Sequence, residues 1–348
     1  MGRFISAVRA GLPAAIMVAA GCAAWPDAAP ARSVVDMTGR VVACPDHPSR
    51  IADLWFAHNE LVLMLGGAGR IAVTDDLPSA RPWMYRVAPV LHGAAGVTGA
   101  VPNVEMLLGR GVDLVFAAND SPAAAPLRRA GLAVVQAGFT DTASLLRALD
   151  LTADVLGDAR AHDVARRYRA MLDATMARVE AGLADLPPGR RLRVLHVKSL
   201  VPLTVDGGGT IIDEWIGRAG GRNVAAAISG NMRPVSLEQV AAWDPDVVIL
   251  GPDSGDLARV SAQWGALRAV RDGRVYRNPS GVFPWDRYGS ELPLQVLWAA
   301  KTLYPGRFAR VDMVFETIRF YREFFGYDLT PGEAVRILAA RPPAGDAE

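Results

Sequence analysis

The chain has 348 residues, 51% of them hydrophobic, and its 37 basic and 36 acidic side chains nearly cancel. Near-neutrality without a polybasic tract argues against a nucleic-acid partner, and the length exceeds what one core supports, so two lobes are expected. The five histidines, at 47, 58, 92, 162 and 196, form no short-range ligand pair, and neither a Gly-x-Ser-x-Gly elbow nor a phosphate loop is present, which disfavours hydrolase and nucleotide chemistry.

Arg3 and Arg9 precede an apolar run from Ala10 to Trp25 that is too short to span a bilayer comfortably, so residues 1–31 read as an export signal. Two processing routes are open. Ala29-Pro30-Ala31 is a small-residue cleavage site, whereas Ala19-Ala20-Gly21-Cys22 resembles a lipoprotein box and would place an acyl anchor on Cys22. Losing residues 1–31 removes two Arg and one Asp and leaves 35 basic against 35 acidic residues, a neutral mature protein. Cys44 is then the one cysteine certain to remain, expected as a small buried hydrophobe.

From 32 to 142, strand-like and helical runs alternate: Arg50–Trp55, Asn59–Leu65, Gly69–Val73, Val104–Leu108, Val112–Phe116 and Leu132–Val135. This βαβ rhythm predicts a parallel sheet flanked by helices. In the helical region 143–187, Val164, Tyr168, Leu172, Met176, Val179, Leu183 and Leu186 step by three or four residues. They predict one amphipathic helix from Ala159 to Leu186, about 40 Å long, which Pro187-Pro188-Gly189 stops. A rod of that length lies along both lobes and fixes their orientation. The rhythm returns over 188–340, in Arg193–Val197, Thr210–Ala219, Leu237–Ala242, Asp246–Leu250 and Arg274–Tyr276. The expected fold is α/β: two lobes with parallel-type sheets, joined by one long α-helix, with a ligand cleft between them. Residues 341–348 read as a frayed tail.

Open α/β sheets bind ligands beyond the carboxyl ends of their strands. The candidates there are Trp55, Phe56 and His58, then Trp83 and Tyr85, then Lys198 and Arg233, and last the loop Phe283-Pro284-Trp285-Asp286-Arg287-Tyr288-Gly289. Pro284 denies this loop a regular element, and aromatic surface at an element boundary suits stacking on a flat ligand while its charges pair with ligand charges. Each candidate has a plainer reading: the rings as core, Lys198 as a solvated strand end, Asp286 beside Arg287 as a salt bridge. Gly207-Gly208-Gly209-Thr210 opens a helix and reads as a tight turn with an anion-receptive helix end. No catalytic residue is assigned, because Asp286 with Glu291 makes a weaker acid–base pair than it does a salt bridge with Arg287.

Val34 to Arg40 followed by Arg50-Ile51, then Pro102-Asn103-Val104-Glu105, then Ala219-Gly220-Gly221-Arg222-Asn223, Val235-Ser236-Leu237-Glu238 and Asp244-Pro245-Asp246, and finally Phe320 to Leu329, stand in this order along the chain. The combination resembles periplasmic binding proteins for iron-siderophores, haem and cobalamin, the binding components of ABC importers. The resemblance implies a binder, not an enzyme, exported to the periplasm, monomeric and without an intrinsic cofactor. It implies that Glu105 and Glu238 dock on the membrane permease, whose separate ATPase drives transport. It implies a metal chelate as ligand, with a ferric siderophore first and haem, cobalamin, molybdate or a nickel complex as alternatives.

Overall fold

The structure, a computed structural model, describes residues 1–2, 31–99 and 101–345. Cys22 and most of the expected export signal lie outside the described residues. The described chain opens with an antiparallel hairpin, β1 (Ala31–Val35) and β2 (Val41–Pro45), in which Cys44 is buried.

The first lobe contains β3 (Ile51–Asp53), α1 (Asn59–Met64), β4 (Ile71–Thr74), α2 (Pro82–Val87), β5 (Ala95–Gly96), α3 (Val104–Gly109), β6 (Leu114–Ala117), α4 (Ala124–Arg129) and β7 (Val134–Gln136). Its sheet has the order β5-β4-β3-β6-β7 and every pairing is parallel. β3, β4 and β6 are buried on both faces, so they read as apolar runs without alternation. The winding reverses between β3 and β6, and such a reversal leaves a crevice at the carboxyl ends of those two strands.

Two helices then lead out of the lobe. α5 (Thr142–Leu156) starts on a capping box of Asp141 and Ser144, and α6 (Ala159–Leu183) follows after Gly157. Val164, Tyr168, Leu172 and Val179 form the buried stripe of α6, and the helix ends three residues short of the expected Leu186.

The second lobe contains β8 (Arg193–Leu200), β9 (Leu203–Val205), α7 (Ile211–Arg218), β10 (Arg222–Asn223), β11 (Arg233–Pro234), α8 (Leu237–Trp243), β12 (Val247–Leu250), α9 (Ser261–Trp264), α10 (Arg268–Arg271) and β13 (Val275–Arg277). Its main sheet order is β11-β9-β8-β12-β13. The pairings of β12 with β8 and β13 are parallel, whereas those of β9 with β8 and β11 are antiparallel, so this sheet is mixed rather than purely parallel. β9 lies two residues beyond β8, too close for a crossover helix, so it must pair antiparallel.

Three further helices close the chain: α11 (Leu292–Leu303), α12 (Met313–Phe320), continued by a π-helical turn over Tyr321–Phe325, and α13 (Pro331–Leu338). One hydrophobic core runs from Val34 through the α6 stripe to Ile337, and smaller cores cover the other face of each sheet.

Candidate functional site

The crevice at the β3/β6 reversal is a cavity of about 330 Å³. Trp55 and Phe56, just past β3, wall one side, and Ala118, Asp120 and Ser121, just past β6, wall the other; Asp75, just past β4, also faces it. Phe56 is 43% exposed and stacks on Phe283 of the second lobe, with centroids 5.9 Å apart and planes at 16°. Trp55 meets Phe139 edge-on at 4.8 Å, and Phe139 meets Tyr288 at 6.4 Å. Two ring pairs, Phe56 on Phe283 and Phe139 on Tyr288, therefore join the lobes, and Phe56 is the member of these pairs that lines the cavity.

On the second lobe the charges are held in a buried network. Arg287 forks onto Asp206, with Nη1 3.1 Å from Oδ1 and Nη2 3.0 Å from Oδ2. His196 lies between two carboxylates, with Nδ1 2.7 Å from Asp206 Oδ2 and Nε2 3.0 Å from Asp286 Oδ2. Burial pushes the Asp206 carboxyl up, but His196 and Arg287 outweigh it and hold it well below the usual range. For His196 burial opposes the charge, and the two aspartates outweigh burial and raise its pKa. Asp206 Oδ1 also accepts the backbone N–H of Met232, at 2.8 Å. Met232 has a left-handed φ of 53° and is exposed beside Asn231, which bonds the Tyr288 hydroxyl. Asp206 thus orients a guanidinium and a strained loop together.

Several expected site residues are elsewhere. Trp285 is 1% exposed and donates its indole N–H to Glu291 at 2.7 Å, so it is a core ring and not a cleft wall. Phe283 is buried as well and reaches the seam only as the partner of Phe56, with the Arg81 guanidinium 4.6 Å from its centroid. His58 is fully buried, tied to Asp53 at 2.7 Å and Thr152 at 2.8 Å. Trp83 donates to the Arg341 carbonyl and Tyr85 to the Asp76 carbonyl; both are core side chains of α2 and not cleft walls. Asp286 is buried against His196 and makes no cleft surface.

Lys198 pairs with Asp253, while Arg233 is exposed at the sheet edge on β11. The amides of Gly207 and Gly208 are spent on the carbonyls of Gly230 and Ile228, so neither is available to an anion. A Cβ on Gly207 would lie 1.7 Å from the Ile228 carbonyl oxygen, which is why glycine stands there. Glu105 and Glu238 are both exposed in the first turns of α3 and α8, whose N-caps are Asn103 and Ser236. Four residues of the site escaped the sequence reading: Asp75, Phe139, Asp206 and His196. Asp75 and Asp206 directly follow β4 and β9, a position that would have flagged them.

A family model for periplasmic binding proteins matches residues 57–281. The chain is 26% identical over 340 residues to the molybdate-binding protein MolA of Haemophilus influenzae, covering 88% of this chain and 94% of MolA. The structure of MolA bound to molybdate superposes with a TM-score of 0.75 at 23% identity, over 86% of this chain and 99% of that one. A periplasmic solute-binding protein from Veillonella parvula gives 0.74 at 24% identity, over 89% and 97% of the two chains. A periplasmic haem-binding protein from Pseudomonas aeruginosa gives 0.60 at 25% identity, over 74% and 94%. The chain belongs to the periplasmic binding protein family, the substrate-binding components of ABC importers.

Proposed function

We propose that this protein captures a small oxyanion of the molybdate type at the interlobe seam and delivers it to an ABC permease driven by a separate ATPase. One observation carries the choice of ligand: Phe283 and Trp285, two of the three rings that favoured a bulky ferric chelate, are buried core side chains. What remains near the seam is Tyr288, Asn231 and an Arg287 whose guanidinium is forked onto Asp206, a polar wall that suits a compact ligand better than a macrocycle. The similarity to a molybdate-binding relative along most of the chain supports the same choice. A negatively charged ferric chelate is the second reading, favoured by the half-exposed Trp55 and exposed Phe56.

Titration calorimetry of the exported protein with molybdate, tungstate, sulfate, a ferric siderophore and haem tests this. Heat from molybdate or tungstate alone is the expected result. Binding of the siderophore or haem with no response to any oxyanion overturns it.

A further inference from the structure

Another cavity, of about 400 Å³, lies between the end of α6 and the loop that joins α11 to α12. Arg178 and Gly182 come from α6 and Gly306 to Val311 from the loop, so three guanidinium groups and no carboxylate line it. Positions 178 and 182 are one helical turn apart and share a face. The place is remote from the seam. α11 starts just past Ser290, which bonds Glu60 of the first lobe, and its twelve residues run about 18 Å away from that contact. At the far end the Tyr304 hydroxyl accepts the Leu192 amide at 3.0 Å, just ahead of β8, so the cavity is at the amino ends of the strands and not at the carboxyl ends that face the seam.

The floor is packed. Phe308 and Val311 are buried, and a Cβ on Gly182 would lie 2.7 Å from the Phe308 ring, so glycine lets that ring close on the helix. Lys301 donates to the Phe308 carbonyl and Arg307 to the Gly182 carbonyl, each at 3.2 Å, which fixes the loop against α6. The charges on the rim are only partly answered. Glu316 is shared between Arg178 at 2.6 Å and Arg319 at 2.8 Å, and Arg307 pairs with Asp185, which is largely exposed. The Asp312 carboxylate is spent on the Val314 and Phe315 amides at the start of α12. Arg310 is exposed and has no hydrogen bond or ion pair among the described residues, and the amides of Ala309 and Arg310 have no acceptor among them either. Guanidinium groups fork onto tetrahedral oxyanions, and free amides add donors, so this rim suits a phosphate group.

We infer that the cavity binds a phosphate group at a site separate from the transport ligand, with Arg178 and Arg310 as its anchors. Free orthophosphate and the headgroup of an anionic phospholipid present the same oxygens to these guanidinium groups. Neither arginine belongs to the seam, so the site stands whatever the transport ligand is.

The test is a phosphorus NMR titration with sodium phosphate, together with co-sedimentation on phosphatidylglycerol and on phosphatidylcholine vesicles, for the exported protein and Arg310→Glu. Arg310 has no partner to lose, so the variant should unfold at the wild-type denaturant concentration. The wild type should bind phosphate, or phosphatidylglycerol in preference to phosphatidylcholine, and Arg310→Glu should weaken that binding at least about tenfold with its molybdate calorimetry unchanged. A response to sodium phosphate assigns the free anion, and a response to phosphatidylglycerol alone assigns the headgroup. A wild type that binds neither overturns the inference, and so does a folded Arg310→Glu that binds as tightly as wild type, because the phosphate then sits elsewhere.

Discussion

At Trp285 the indole N–H decides the role of the ring. A buried donor needs an acceptor, and Glu291 supplies one inside the core, so the ring turns inward, whereas Phe56 has no polar atom to satisfy and stays at the seam. Trp285→Ala should therefore cost about 3–5 kcal/mol of stability in denaturant unfolding and leave ligand affinity within about twofold. The buried network makes a second prediction. Asp206 has a depressed pKa, so its contribution is present above the unfolded value near 4 and is lost as pH falls through the acid range. His196 has a raised pKa, so its contribution is present below about pH 6.5 and is lost as pH rises through the folded value. Asp206→Asn should lose about 3–5 kcal/mol at pH 6, and its deficit against wild type should shrink below pH 4 in urea titrations.

At the scale of elements, α6 was legible because one face of it is buried and the other is wet. Leu172 is in the buried stripe and Arg166 on the exposed face. Leu172→Ala should cost about 2–5 kcal/mol and Arg166→Ala less than about 0.5 kcal/mol, both read from chemical unfolding. α11 was not legible for the opposite reason. Nine of its twelve residues are buried, including Gln295, so no periodic contrast marks it. β9 and β11 were missed because they are only three and two residues long and exist through their partners.

For the whole molecule, the joint between lobes is more than the connecting helix. Glu60 on α1 accepts from the Ser290 amide at 2.7 Å and the Ser290 hydroxyl at 3.0 Å, at the start of α11, and a Cβ on the adjacent Gly289 would lie 2.5 Å from the Glu60 carboxylate. The last segment crosses back as well, with Tyr327 bonded to Arg86 and the Arg341 carbonyl to Trp83. Burial, Glu291 and Asp76 push Glu60 well up, and burial pushes Glu291 up to about 7. Raised carboxyl values weaken the fold as pH rises from the unfolded value near 4.3 through the folded one. Glu60→Gln still accepts from the Ser290 amide and can donate its own NH2 to the Ser290 hydroxyl, without the charge, so it should melt roughly 2–4 °C above wild type at pH 8 and match it at pH 5. At the far surface, Glu105→Arg with Glu238→Arg should abolish transport into cells and leave ligand affinity unchanged; lost affinity would return these carboxylates to the cleft.

By itself the sequence determined the two α/β lobes, the rod between them and the strand ends where a site must lie. Each of these follows from periodic apolar contrast and from the order of short motifs, which are local properties of the chain. Only the tertiary structure decided which rings and charges face the seam. Trp285 and Asp286 point into the core and Tyr288 toward Phe139, although all three share one loop, because each direction depends on a partner outside the loop: Glu291, His196 and Phe139. A loop residue's own place in the sequence carries no record of such partners, so side-chain direction there is fixed by tertiary contacts, both polar and apolar.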